Sequence, residues 1–398
     1  MELNRIKLLT VYSRDISEND SGAARTTIGL LNYLSEREVF ECYTSFKIIK
    51  GATTHIKQLA HENISKQFLR KLISVIHPDI ILVPEGYLLT SLVKESMLGY
   101  HCYLVSAMHN MPGFEKIRLH ILLLESMIYN KSYIKRIRAL LAFLFFPVFF
   151  VGYTQHIKYR IQKSYNNSSK FVLLSERYFS DFSKIYNIFD SAKLVAIENP
   201  LSFDETANSN ILKDKKKQIL VVSRLDEQQK QLSTVLKVWK YLNRKYLDWE
   251  LHIVGTGRSL KFYKSLVSLW RLDRVIFHGM QPSKEYYKSA SIFLMTSAYE
   301  GWGITITEAQ QFGCVPVVMN SFLALSDIIV DGSNGLITPP KNIEKFINAV
   351  EKLMSDTPYR EKLANESIES TKRFTKEIVY EKWVALFMSL IKEKKASI

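Results

Sequence analysis

Tyr299-Glu300-Gly301-Trp302-Gly303-Ile304-Thr305-Ile306-Thr307-Glu308-Ala309 decides how this chain is read. Its two glutamates are separated by seven residues, with a Gly-x-Gly turn between them. The run from Ser291 to Thr296 before it reads as a strand. A helix is expected from about Ile304, and the apolar run Val315–Val318 reads as the next strand. Glu300 then sits on the loop leaving a strand, and Glu308 about a turn inside a helix. The Gly301 and Gly303 amides fall at the helix N-terminus, where unpaired N–H groups and the helix dipole attract anions. Such a joint suits a phosphorylated sugar: one carboxylate for sugar hydroxyls, the other for ribose hydroxyls, the turn for phosphates. An ordinary strand–loop–helix joint with two solvated glutamates is the plainer alternative.

Working outward, apolar runs alternate with helical patterns. Ile219–Val222, Leu251–Val254, Val275–Phe277 and Ile292–Met295 read as strands; Leu232–Tyr241 and Phe262–Leu269 read as helices. Ile343–Leu353, Tyr359–Thr371 and Ile378–Ile391 read as later helices. The N-terminal half alternates similarly, with strands at Ile6–Tyr12, Asp79–Pro84, Tyr103–Val105, Lys170–Leu174 and Leu194–Ile197, and a helix over Ala24–Ser35. Short buried strands alternating with helices indicate parallel sheets covered on both faces. The polar stretch 199–217 contains Pro200 and ends in Lys213-Asp214-Lys215-Lys216-Lys217, which reads as a linker. The expected division is 1–198, linker 199–217, 218–377, and a last helix over 378–398.

At 398 residues the chain is long enough for two domains, and 47% hydrophobic with 23% charged residues is a globular composition. Cys42, Cys102 and Cys314 are far apart and odd in number, which argues for a reducing compartment and against a disulfide framework. No secretory signal fits before Ile6. The net charge of +15 is uneven: between Glu125 and Glu176 there is no acidic residue, while Lys131, Lys135, Arg136, Arg138, Lys158, Arg160, Lys163 and Lys170 fall inside. Such a block reads as a surface for anionic lipid or nucleic acid. Within it, the apolar run 139–151 is shorter than the roughly 18–20 residues needed to span a bilayer and is interrupted by Pro147. An apolar wedge beside basic residues suits a protein lying in the headgroup region near 131–163; a buried core helix is the alternative.

The two spaced glutamates resemble the signature of the retaining glycosyltransferases of family 4, of the bacterial polysaccharide-biosynthesis type. Val221-Val222-Ser223-Arg224-Leu225, with Lys230-Gln231 six residues after the arginine, resembles that family's diphosphate-binding segment. Phe277-His278-Gly279 and Asp331-Gly332-Ser333-Asn334-Gly335-Leu336 also fall in family order. The likeness covers about residues 190–340 well and is thin over the N-terminal half. It implies an α/β GT-B fold, two Rossmann-like doubly wound domains facing a central cleft, with the last helix crossing back to the N-terminal domain.

The resemblance also implies roles. Glu300, His109, Arg224 and Lys230 are the catalytic candidates: the two cations for the diphosphate leaving group, Glu300 and His109 for the donor sugar. The donor-binding candidates are Gly22, Arg224, Lys230, Gly255, Gly279, Glu300, Gly301, Trp302, Gly303, Ile304, Thr305 and Glu308. Trp302 stands where the family often has phenylalanine, and only Gly22 is glycine in a loop where two are common. His101, His252 and His278 read as structural. No Asp-x-Asp pair is present, so no metal and no cofactor are expected.

The expected activity is transfer of a hexose, with retention, from a nucleotide diphosphate sugar to a lipid-linked or polysaccharide acceptor. A uridine-linked donor is favoured and a guanosine-linked one is open. Expected partners are that donor, the glycan acceptor and an anionic membrane surface, not nucleic acid. The expected place is the cytoplasm, peripheral on the inner face of the cytoplasmic membrane. The alternatives are a nucleotide-sugar epimerase or phosphorylase of the same fold, or a non-enzymatic basic membrane- or nucleic-acid-binding protein.

Overall fold

Short runs such as Ile80-Ile81-Leu82-Val83, buried at every position, can be satisfied only inside a sheet covered on both faces. A computed structural model, which describes residues 5–60, 64–115, 132–134, 137, 140–141, 146–205 and 207–396, places them there. The chain divides into two units, Met1–Glu198 with Val379–Ile398, and Asn199–Ile378.

The first unit is built on β1 (Ile6–Thr10), β3 (Phe40–Thr44), β5 (Lys57–Gln58), β6 (Ile80–Val83), β7 (Tyr103–Met108), β8 (Lys170–Leu173) and β9 (Leu194–Ala196). Their order is β5-β3-β1-β6-β7-β8-β9, with parallel pairing throughout. A separate pair, β2 (Ile16–Ser17) and β4 (Ile48–Lys50), lies outside this sheet. Successive residues of β1 and β6 enter opposite cores, as the two-residue strand period requires. Leu8, Ile80 and Leu82 join Leu31 and Phe40 on one face. Leu9, Ile81 and Val83 join Leu72, Ile73 and Val93 on the other.

The first of these cores is completed by the helix Lys376–Ala396, which contributes Val379, Tyr380, Trp383, Phe387 and Leu390. The Phe387 ring meets Phe40 edge-on at 6.3 Å and Trp383 at 5.7 Å.

The second unit is built on β10 (Lys216–Val222), β11 (Glu250–Val254), β12 (Val275–Gly279), β13 (Ala290–Met295), β14 (Val315–Met319) and β15 (Leu336–Thr338). Their order is β12-β11-β10-β13-β14-β15, again parallel throughout. Ile219, Val221, Leu251, Ile253, Ile292 and Leu294 pack on one face with Trp239 and Phe346. The stretch 199–217 holds a 3-10 turn, Ser209–Asp214, and its last two lysines already belong to β10.

β3, β5, β15 and the helices Lys66–Ile76, Gly86–Met97 and Tyr178–Tyr186 lie outside the elements expected from the sequence. Of the residues expected to face lipid, Lys131, Lys135, Arg136, Arg138 and Phe145 lie outside the described residues. Among the described residues, no helix is long and apolar enough to cross a membrane.

Phe387→Ala removes a ring with 0% exposure from the first unit's core. A loss of about 3–5 kcal/mol is expected, the usual range for a large-to-small change at such a site. Denaturant unfolding, with hydrogen exchange followed over β1 and β3, checks this: unchanged protection there would contradict the packing described.

Candidate active site

In a doubly wound sheet the ligand position is the carboxyl edge where strand order reverses. In the second unit that point is the β10–β13 pair. β10 ends at Val222 and leads to Arg224; β13 ends at Met295 and leads to Glu300.

Asp226 caps the four-residue helix Glu227–Lys230, its carboxylate accepting the Gln228 N–H at 3.1 Å. Gln231, at φ +48°, then turns the chain into the helix Leu232–Leu242. This short helix is tied to the loop after β13. The Ala298 N–H donates to the Gln229 carbonyl at 2.7 Å, and the Thr296 hydroxyl lies 3.1 and 3.0 Å from the carbonyls of Lys230 and Gln231. Both backbones being fixed, Lys230 Nζ meets Glu300 Oε1 at 2.5 Å, with their side chains 16% and 11% exposed. Arg224 is more open: its guanidinium donates to Gln229 Oε1 at 2.7 Å and lies 4.0 Å from Asp226.

Asp226 also accepts a hydrogen bond from Arg258 at 2.8 Å. Arg258 was missed in the sequence; the signal was a cation closing Gly255-Thr256-Gly257 directly after a strand.

The helix Ile304–Gln311 starts from Gly303, whose φ of +87° lies in the left-handed region, and no side chain caps it. Gly301 and Gly303 are buried, while Ile304 and Thr305 are half-buried. The Trp302 ring is 3% exposed and meets Phe374 edge-on at 5.5 Å. The Trp302 ring is therefore part of the second unit's interior. Glu308 is 2% exposed and accepts a hydrogen bond from the Tyr287 hydroxyl at 2.8 Å.

Gly255 and Gly279 lie side by side, the Gly255 N–H donating to the Gly279 carbonyl at 2.7 Å. They are glycines for different reasons. A Cβ on Gly255, at φ +135°, would come within 1.9 Å of the Ser223 carbonyl oxygen. A Cβ on Gly279, at φ +70°, would meet nothing within 4 Å. Nearby, His278 and His252 stack with ring centroids 5.0 Å apart, and His252 reaches Glu250 at 2.9 Å. Burial, and then the neighbouring His252, push the His278 pKa down.

In the first unit, Ser21 caps the helix Gly22–Ser35 by accepting the Ala24 N–H at 3.1 Å, so Gly22 opens that helix. His109 follows β7 directly. A cavity of about 10 Å³ gathers His109, Thr26 and Thr27 of that helix's first turns, and Trp383 of the C-terminal helix. Gly22 and His109 belong to this unit; the other candidates belong to the second. Among the described residues, no group of three or more His, Cys, Asp or Glu is placed to hold a metal ion.

The fold is GT-B: Anabaena HepE, solved in complex with UDP, superposes with a TM-score of 0.72 over 96% of this chain and 100% of its own, at 15% identity. Residues 202–370, nearly all of the second unit, match the model of glycosyl transferases group 1. The amylovoran biosynthesis glycosyltransferase AmsD of Erwinia amylovora is 24% identical over 226 residues, 55% of this chain and 62% of that protein. The lipopolysaccharide 1,6-galactosyltransferase of Salmonella typhimurium is 28% identical over 166 residues, 40% of this chain and 45% of that protein. The chain spans about half the length of the curated relatives it matches. The resemblance to bacterial polysaccharide-building glycosyltransferases read from the motifs therefore holds.

Gly255→Ala and Gly279→Ala separate a clash with neighbouring backbone from left-handed strain alone. The first is expected to cost about 3 kcal/mol or more, through a clash with fixed backbone. The second is expected to cost about 1 kcal/mol, the ordinary penalty for a left-handed residue with a Cβ. Equilibrium unfolding of both variants checks this, and the opposite ranking would contradict it.

Proposed function

We propose that the protein is a retaining glycosyltransferase that moves a hexose from a nucleotide diphosphate sugar to a lipid-linked or polysaccharide acceptor. The observation that carries this is the cationic pair Arg224 and Lys230 set against Glu300 where the strand order reverses. As the glycosidic bond breaks, negative charge grows on the departing diphosphate. Cations fixed there before reaction stabilise that charge most in the transition state. Arginine offers a planar fork for two phosphate oxygens, and lysine a point charge. The uncapped N-terminus of Ile304–Gln311 adds N–H groups and the positive end of a helix dipole. No metal is assigned a role.

In this reading Glu300 faces the donor sugar, and its pairing with Lys230 sets its place before the sugar arrives. Glu308 takes the ribose hydroxyls. His109, beside the opening turns of the Gly22 helix, is the first unit's candidate for a contact with the donor sugar. The acceptor hydroxyl attacks from the face the phosphate leaves, and a phosphate oxygen takes its proton. A uridine donor is favoured, in line with the UDP bound to HepE. Arg224→Ala and Lys230→Ala are each expected to lower turnover by about two orders of magnitude, the scale for one lost transition-state charge partner. Steady-state kinetics with UDP- and GDP-sugars, with and without chelator, test this. Near-normal turnover in folded variants would refute the assignment, and loss to chelator restored by magnesium would refute the metal-free part.

We also propose that the first unit meets an anionic membrane surface, on the inner face of the cytoplasmic membrane. Exposed Tyr133, Ile134, Ile137, Leu140, Leu141 and Val151 share one stretch of sequence with the basic block. Binding to anionic vesicles should weaken with salt, by about 1 kcal/mol for each basic residue engaged. Replacing Lys135, Arg136 and Arg138 with glutamine should release the protein from vesicles while sparing donor hydrolysis. Vesicle sedimentation across a salt series reads this; unchanged binding would place the lipid contact elsewhere.

A further inference from the structure

Tyr287 has no part in the roles assigned so far, yet it is held at both ends. Its side chain is 0% exposed, on the short helix Lys284–Ser289 of the second unit. Its ring lies 6.1 Å from Phe293 and 6.4 Å from Phe203, so the ring has little freedom to turn. Its hydroxyl donates to Glu308 Oε2 at 2.8 Å. Its carbonyl accepts from Lys215 Nζ at 2.7 Å, and the same ammonium reaches the Ala290 carbonyl at 2.8 Å. Lys215 thus clips the end of the helix to the start of β13, and the phenol is aimed by main chain as well as by packing.

A phenol donating to one carboxylate oxygen selects one orientation of the carboxylate plane, and hydrogen bonds to charged groups are stronger than neutral ones. Glu308 is 2% exposed, so water contributes little to its orientation. We propose that Tyr287 is a positioning residue that sets the Glu308 carboxylate for recognition of the ribose of a nucleotide, with Lys215 anchoring it. This rests on the reading above that Glu308 takes ribose hydroxyls. Tyr287 itself touches no substrate; its effect is selectivity for ribose over deoxyribose.

The test is calorimetric titration of the full chain with UDP and 2′-deoxy-UDP, and with the guanine pair in parallel. The wild type should prefer the ribonucleotide by about tenfold, the value of one hydrogen bond to a charged group. Tyr287→Phe should weaken UDP by about tenfold and 2′-deoxy-UDP, which keeps only its 3′-hydroxyl for Glu308, by less, narrowing the preference. Glu308→Gln should narrow it too. A folded Tyr287→Phe protein that keeps the wild-type preference overturns the positioning role and leaves the ribose reading standing. A wild type with no preference overturns the ribose reading, and this inference with it. Equal losses for both nucleotides would mean a purely structural role and also overturn it. Should Tyr287→Phe fail to fold, 3-fluorotyrosine at position 287 changes the donor at nearly constant size. It should shift affinity for UDP more than for 2′-deoxy-UDP; equal shifts refute the proposal.

Discussion

The parallel pairing of β10 with β13 is the constraint on which the second unit's chemistry depends. These strands are far apart in sequence, yet Ile219 and Leu220 register with Ile292 and Phe293. Because the pairing is parallel, both carboxyl ends emerge on the same edge. Everything that follows β10 is therefore delivered to everything that follows β13. The hydrogen bonds from Thr296 and Ala298 to the Gln229–Gln231 backbone turn that proximity into a fixed distance. The meeting of Lys230 and Glu300 is the outcome of that geometry.

That ion pair is largely shielded from water. Attraction within such a pair is strong, but so is the cost of dehydrating both groups, and the balance is often near neutral. Its value lies in arrangement. In the function proposed above, a lysine held by a carboxylate is already in place when a phosphate comes, and little reorganisation is left for the moment of reaction. The more exposed Arg224, held by Gln229 and beside Asp226, is a complementary case: a charge on a short tether, free to follow a ligand. Arg258 shares Asp226 with it, so the acid that caps the short helix also links two cations from different loops.

Much of this was legible in the residues, for identifiable reasons. Strands such as Leu251–Val254 and Val315–Val318 are buried on both faces, so their apolar runs are unbroken. β3 and β5 escaped notice because Phe-Glu-Cys-Tyr-Thr carries a charge mid-strand and Lys57-Gln58 is an exposed two-residue edge. The helix Lys66–Ile76 does carry helical spacing at Leu69, Leu72, Ile73 and Ile76. Glu300 and Lys230, candidates from type, spacing and resemblance, do meet in one ion pair. Tyr287 was not a candidate, because its role comes from a contact with Glu308, and no local pattern announces a contact between a short helix and a later one. The burial of Trp302 is of the same kind: its partner Phe374 lies well down the chain.

The helix that closes the first unit's core also fixes an order of events in time. Val379, Trp383 and Phe387 are made only after the whole of Asn199–Ile378 has been synthesised. Until then Leu31 and Phe40 lack the partners that cover them. The second unit, continuous in sequence, has every strand it needs before the first is finished. Closing the first core is consequently a late step across a long intervening chain, and long-range closures of that kind are slow and leave apolar surface open meanwhile. A chain whose first unit waits for a helix made after the second leaves that nascent unit open to chaperones and to aggregation until the helix arrives.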